Sequence, residues 1–260
     1  MTKKYIEDLD AVSKFSKKII QSHPDGFLQA VIDGARGSGK TAFCMHTMRE
    51  VYQYLYGVDR VEAWNIILGI GAYSNETPKI LFTMRNVIDA LKQLENIDMS
   101  ANKIIQSQRD NMIPVLTWDD AGMHGGRLKV LIDMKAVDKL SGVMDTARDV
   151  VSGFLINVPE KESLLSAIRR YKDAPWVHIG YRAGEGAVKY DRQGVVRKFR
   201  IDGRGTHRSY IDMKVNFSCY VDKWVYSEYK IKKVQAVQEN LRMFEELEKR
   251  NSMRFKKKDE

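Results

Sequence analysis

Cysteine is scarce in this 260-residue chain, long apolar runs are missing, and no internal repeat is present. The two cysteines, Cys44 and Cys219, lie far apart, with no CxxC pair or histidine-rich cluster beside them. That excludes a disulfide scaffold and a zinc site, and both read as reduced core thiols. No stretch approaches the roughly 18 uninterrupted apolar residues of a membrane span. The N-terminal segment Met1–Asp8 carries charges where a signal peptide needs an apolar block, so the expectation is a cytoplasmic protein with no membrane partner. What is present is an ordinary apolar fraction of 43% and a surplus of base: net charge +9 and a pI near 9.3. A field of that sign favours polyanions, nucleic acid being the usual one.

Hydrophobic periodicity organises the chain. Ile6, Leu9, Val12, Phe15 and Ile19 recur at helical spacing before Pro24, predicting an amphipathic N-terminal helix packed on the main domain. Residues 27–33 read as a buried strand, and from Thr41 the residues Met45, Met48, Val51, Tyr52 and Leu55 mark a helix that stops near Gly57. Further strands are expected at 79–84, 113–118 and 153–159. The helices between them carry Val87, Ile88, Leu91 and Leu94, then Ala136 to Val150, then Lys161 to Tyr171. Such alternation predicts an α/β fold with a mainly parallel sheet flanked by helices. From Trp176 to about Val221 the pattern changes to a β meander with a turn at Asp191-Arg192-Gln193-Gly194, and a C-terminal helix is expected from Tyr226 to Arg250, ending in a frayed basic tail. The expected divisions are 1–24, 25–175, 176–222 and 223–260.

Between the first strand and its helix lies Gly34-Ala35-Arg36-Gly37-Ser38-Gly39-Lys40-Thr41, a complete GxxxxGKT phosphate-binding loop. Closely spaced glycines let backbone N–H groups face phosphate oxygens, and the following helix adds its unpaired N–H groups. Lys40 is expected on the β and γ phosphates of ATP, and the Thr41 hydroxyl on Mg²⁺. The strand at 113–118 runs into Asp119-Asp120. A first acid there can hold the metal, and a second can polarise a water for in-line attack.

The succession GARGSGKT, KILFTMRNVIDAL, PVLTWDDAG and GFLINVP, over about residues 27–171, resembles the AAA+ ATPases of the bacterial DnaA and DnaC/IstB group, the replication initiators and helicase loaders. Small P-loop ATPases of archaeal viruses and plasmids have a similar look. The resemblance implies Asp119 for Mg²⁺, Asp120 for water activation, and Asn157 as a sensor at the end of the fourth strand. It also implies Arg169 or Arg170 as a finger reaching a neighbouring subunit of a homo-oligomer. Two features depart from that group: β structure where a helical lid is usual, and an insertion at Val61–Thr77. A RecA-like or packaging-motor core is the alternative they leave open.

Between Arg182 and Arg208 stand eight basic residues (Arg182, Lys189, Arg192, Arg197, Lys198, Arg200, Arg204, Arg208) against three acids, interleaved with Tyr190 and Phe199. On a meander these can grip a DNA backbone or form a solvated basic face. His124, His178 and His207 lack partners at ligand spacing and read as core or loop residues. The expected function is ATP hydrolysis coupled to DNA transactions, in replication initiation or with a helicase partner. A nucleotide-dependent switch or scaffold and a DNA-translocating motor are the alternatives.

Overall fold

The structure, a computed structural model, describes residues 8–92, 98, 100, 103–119, 121, 145–159, 174–182, 188–201 and 207–256. It divides into two compact units, Met1–Tyr220 and Val221–Glu260. The described residues of the second form one long helix, α6 (Lys223–Lys256), which starts three residues before the expected Tyr226. No helix among the described residues is long and apolar enough to cross a membrane.

Among the described residues, the first unit is built on a seven-stranded sheet. Its strands are β1 (Leu28–Asp33), β2 (Ile80–Leu81), β3 (Ile113–Trp118), β4 (Val151–Asn157), β5 (Trp176–Tyr181), β6 (Asp191–Ile201) and β7 (His207–Ser218), in the order β2-β3-β4-β1-β5-β6-β7. Pairings from β2 to β5 are parallel, and β5-β6-β7 continues antiparallel. Every residue of β3 and β4 is buried. That is why both read as near-continuous apolar runs: a parallel strand covered on two faces has no solvent side to alternate with.

Helices cover the two faces through alternate side chains. Helices α1 (Lys14–Ser22) and α2 (Lys40–Tyr56) share one face: the Tyr52 hydroxyl donates to the Val115 carbonyl at 3.0 Å, the Thr117 hydroxyl to the Met48 sulfur at 3.0 Å, and the Phe15 and Phe43 rings pack tilted with centroids 5.4 Å apart. Helix α3 (Arg60–Leu68) follows, capped by Asp59 accepting from Val61 and Glu62 N–H, and occupies the expected insertion. On the opposite face, Val87, Ala90 and Leu91 of α4 (Met84–Leu91) join Leu116, Trp118, Phe154 and Ile156 in one apolar cluster. A short α5 (Ile104–Asp110) precedes β3.

Several details differ from the sequence reading. The strand expected at 79–84 is only Ile80–Leu81, because Thr83 and Asn86 form a capping box that draws Met84 into α4. Asp191–Gly194 is not a turn: Arg192, Gln193 and Gly194 pair with β5 on one side and β7 on the other. Turn-forming composition there yields to ladder bonds on both edges. Cys44 is a buried core thiol, but Cys219 is only half-buried. His178 is exposed on β5, where its Nδ1 bonds Asp33 at 2.8 Å. Leu94, most of the expected helix at 136–150, all of that at 161–171, and His124 lie outside the described residues.

Two tests follow from this packing. A Cβ at Gly153 would stand 2.8 Å from Ile19 and 3.1 Å from Val115 side-chain carbons, so α1 and the sheet meet only because position 153 has no side chain. Gly153→Ala should lower unfolding free energy by about 1–3 kcal/mol in denaturant titration, the usual range for overpacking. His46 Nε2 lies 2.9 Å from the Tyr220 carbonyl, and burial, then the neighbouring Arg49, lower its pKa from the ordinary 6.5 to about 4. The unfolded chain therefore binds the extra proton first. His46 supports stability above pH 6.5, and that contribution fades as pH falls toward 4. Melting temperatures should drop across this window in the native chain and drop less in His46→Gln.

Candidate functional site

The loop after β1 takes a path that only glycine permits. Gly34 has φ +145°, and a Cβ there would sit 2.5 Å from the Ile179 carbonyl oxygen. Gly37 and Gly39 also have positive φ, at 79° and 98°. The Ser38 N–H donates to the Ala35 carbonyl at 3.0 Å, closing a tight turn. Gly39 is the N-cap of α2 and supplies no side-chain acceptor. The first-turn N–H groups of α2, and the positive end of its dipole, are thus offered to an external anion. Lys40 Nζ curls back onto the loop, donating to the Gly34 carbonyl at 2.7 Å and the Ala35 carbonyl at 3.1 Å.

Three strand ends and α2 converge beside this loop. Asp119 follows β3 and is fully buried, its N–H held by the Leu81 carbonyl at 2.8 Å. The Thr41 hydroxyl donates to Asp119 Oδ1 at 3.1 Å. Asn157, the last residue of β4, donates from Nδ2 to Thr41 Oγ1 at 3.1 Å and also to Asp119 Oδ1. The Asn157 side-chain carbonyl oxygen is buried and has no partner. The negative charge of Asp119 is felt nearby: the Cys44 thiol is pushed well up by burial first and by Asp119 second, while Lys40 pulls it the other way. A carboxylate and a hydroxyl in contact are hard oxygen donors that suit Mg²⁺. Among the described residues there is no cluster of three or more His, Cys, Asp or Glu to suggest any other metal centre.

A glycine loop between β1 and α2, an acid after the strand two places away, and β4 between them define the architecture. The fold is that of a P-loop NTPase. No family model matches the chain. It is similar to the uncharacterized protein B-251 of Sulfolobus spindle-shape virus 1, with 26% identity over 218 residues, 82% of this chain and 76% of that protein. Among solved structures it is similar to the flagellar accessory protein FlaH of Methanocaldococcus jannaschii, with 13% identity, 80% of this chain and 98% of FlaH covered, and a TM-score of 0.36. The KaiC-like protein PH0186 of Pyrococcus horikoshii OT3 gives 14% identity, 83% of this chain and 100% of that protein covered, and a TM-score of 0.34.

Of the residues singled out in the sequence, Gly34 to Thr41, Asp119 and Asn157 come together at one end of the sheet. Asp120, Arg169 and Arg170 lie outside the described residues. Within the basic segment, Arg182, Lys189 and Arg197 are exposed and Lys198 is half-buried, but Arg192 is buried at 7% exposure. Its guanidinium faces inward, donating from Nε to the Ser38 carbonyl at 3.0 Å. Arg192 therefore cannot serve in an outward-facing grip, and belongs with the loop instead. Strand alternation could have hinted at this, since Arg192, Gly194 and Val196 share one buried face of β6.

Gly34→Ala tests the loop geometry. The residue would be forced into a conformation costing about 1–3 kcal/mol before any clash is counted. The variant should melt measurably lower than the native chain, whereas Gly37→Ala, whose added Cβ meets nothing within 4 Å, should lose less.

Proposed function

We propose that the chain is a Mg²⁺-dependent ATPase that acts on DNA. The observation that carries this reading is the contact of Thr41 with buried Asp119 beside an anion-ready glycine loop. In it, Lys40 exchanges the carbonyls of residues 34 and 35 for β and γ phosphate oxygens, and the N–H groups of Gly37, Gly39, Lys40 and Thr41 serve the same oxygens. Thr41 and Asp119 would hold Mg²⁺, which when bound neutralises charge on the β and γ phosphates. Asp120, next in the chain, is assigned to accept a proton from the attacking water. Oxygen–phosphorus bonding forms on one side of the γ phosphorus as the bond to ADP breaks on the other. Asn157 already bonds Thr41 and Asp119, and its unpartnered carbonyl oxygen suits a role in sensing that water.

DNA as partner is supported by the net charge of +9 and by exposed Arg182 and Lys189 next to exposed Tyr181 and Tyr190, with exposed Arg197 farther along β6. Cations on a strand surface interleaved with aromatic rings bind single strands without reading sequence. The sheet runs on through β6 and β7 where AAA+ loaders carry a helical lid, which favours the RecA-like form of the core while keeping the ATP chemistry unchanged. Similarity to a viral protein supports a viral setting, and replication initiation or helicase loading is the DNA transaction proposed for it. Arg169 or Arg170 as a finger acting between subunits belongs to the same reading.

Lys40→Ala should abolish Mg-ATP binding in equilibrium titration, and Asp120→Asn should bind normally while phosphate release falls at least about 100-fold, the span usual for losing a general base. DNA should stimulate the native turnover. Its affinity should fall with a log–log salt slope of about −3 if four or so phosphates of a single strand are contacted. A wild-type chain that binds no ATP with Mg²⁺ contradicts the proposal.

A further inference from the structure

Arg192 makes contacts that neither a solvated cation nor an ordinary core residue needs. From the start of β6 its Nε donates to the Ser38 carbonyl at 3.0 Å, and its Nη1 to the Lys189 and Asp191 carbonyls, each at 2.8 Å. Its guanidinium lies 4.3 Å from the centre of the Tyr181 ring. Its stem touches the loop as well: a Cβ on Gly39 would meet Arg192 Cγ at 3.4 Å and Cys219 Cβ at 3.0 Å. One buried side chain thus joins the phosphate loop to the turn that carries exposed Lys189 and Tyr190. That turn is tied in its own right, by Arg182 to Asp191 at 3.5 Å and by the Cys219 N–H to the Tyr190 carbonyl at 2.8 Å.

The consequence for the loop comes from peptide geometry. In a trans peptide the C=O and N–H point in opposite directions. With the Ser38 carbonyl held by Arg192, the Gly39 N–H is turned away from Arg192. A cationic donor on that carbonyl also strengthens the hydrogen bond the N–H can give, since linked hydrogen bonds polarise one another. Gly39 has no side chain to fix this orientation itself, and at φ +98° its flanking peptides have other states open to them.

We propose that Arg192 is a positioning residue: it holds the 38–39 peptide with its N–H toward the phosphates and ties occupancy of the nucleotide site to the turn at residues 188–190. This rests on the ATP-binding reading above. It goes beyond it by adding a residue the loop motif does not contain and a route from nucleotide to the basic, aromatic surface. Lysine is a poor substitute, because a single ammonium does not reproduce a planar fork serving three carbonyls while stacked on a ring.

Two measurements test it on the full chain. Titration of Mg-ATP into Arg192→Met, which keeps the stem but removes the donors, should show an affinity at least about tenfold weaker than native, with Arg192→Lys restoring only part. Affinity of Arg192→Met within twofold of native overturns the proposal. The second uses the native chain, so it does not depend on the variant folding. Alkylation of half-buried Cys219 by iodoacetamide, read by peptide mass, should slow at least threefold when Mg-ATP saturates the loop. It should not slow in Lys40→Ala. An alkylation rate unchanged by saturating Mg-ATP in the native chain overturns the coupling. In either case demonstrated ATP binding by the native chain leaves the ATPase reading standing, whereas absence of that binding removes both.

Discussion

Thr41, Asp119 and Asn157 are separated by 78, 116 and 38 residues in the chain, and they touch only because β4 pairs with β1 on one side and β3 on the other. That juxtaposition is the constraint on which the site depends. It requires the parallel order around β1, and parallel strands require helical crossovers that cover both faces. The apolar density of β3 and β4, the alternate packing of α2 and α4, and the missing side chain at Gly153 all serve to keep three polar groups in register at one end of a dry sheet. Burying Asp119 would be costly if it stood alone. The hydroxyl of Thr41 and the amide of Asn157 offset that cost, and the charge stays beside the loop where a cation and a polyphosphate would meet.

The loop is held by different means. Its anion-facing N–H groups are backbone, so their aim depends on dihedral angles rather than rotamers. Gly34 locks one end by leaving no space for a Cβ against Ile179, and α2 fixes the other. The middle is braced from outside by a residue 154 positions away, Arg192 against Ser38. Antiparallel strands β6 and β7 thereby become part of the site's foundation, although they stand outside the parallel core.

Local signals were legible in the sequence and distant ones were not. The glycine spacing, the strand before it and the helix after it identified the phosphate loop. An acid at a strand end pointed to Asp119, and the resemblance to the AAA+ group implied Asn157. These are properties of contiguous residues. The role of Arg192 depends on β6 pairing with β5 and swinging its side chain under a loop far behind it in sequence, and a count of basic residues could not separate it from Arg197. The turn expected at 191–194 failed for a related reason: Asp, Gln and Gly favour turns locally, but two neighbouring strands supply ladder bonds that composition does not reveal. The shortened β2 is the opposite case, a local capping box overriding an apolar run.

The central claim is that the backbone of residues 37–41 wraps a metal-bound triphosphate. Amide resonances of the isotopically labelled chain, followed as Mg-ATP is added, test it most directly. The account predicts saturable shifts greatest at Gly37, Gly39, Lys40 and Thr41, with the Asn157 side-chain amide moving alongside them. Saturable shifts confined to other parts of the sheet, with these amides unmoved, would contradict it.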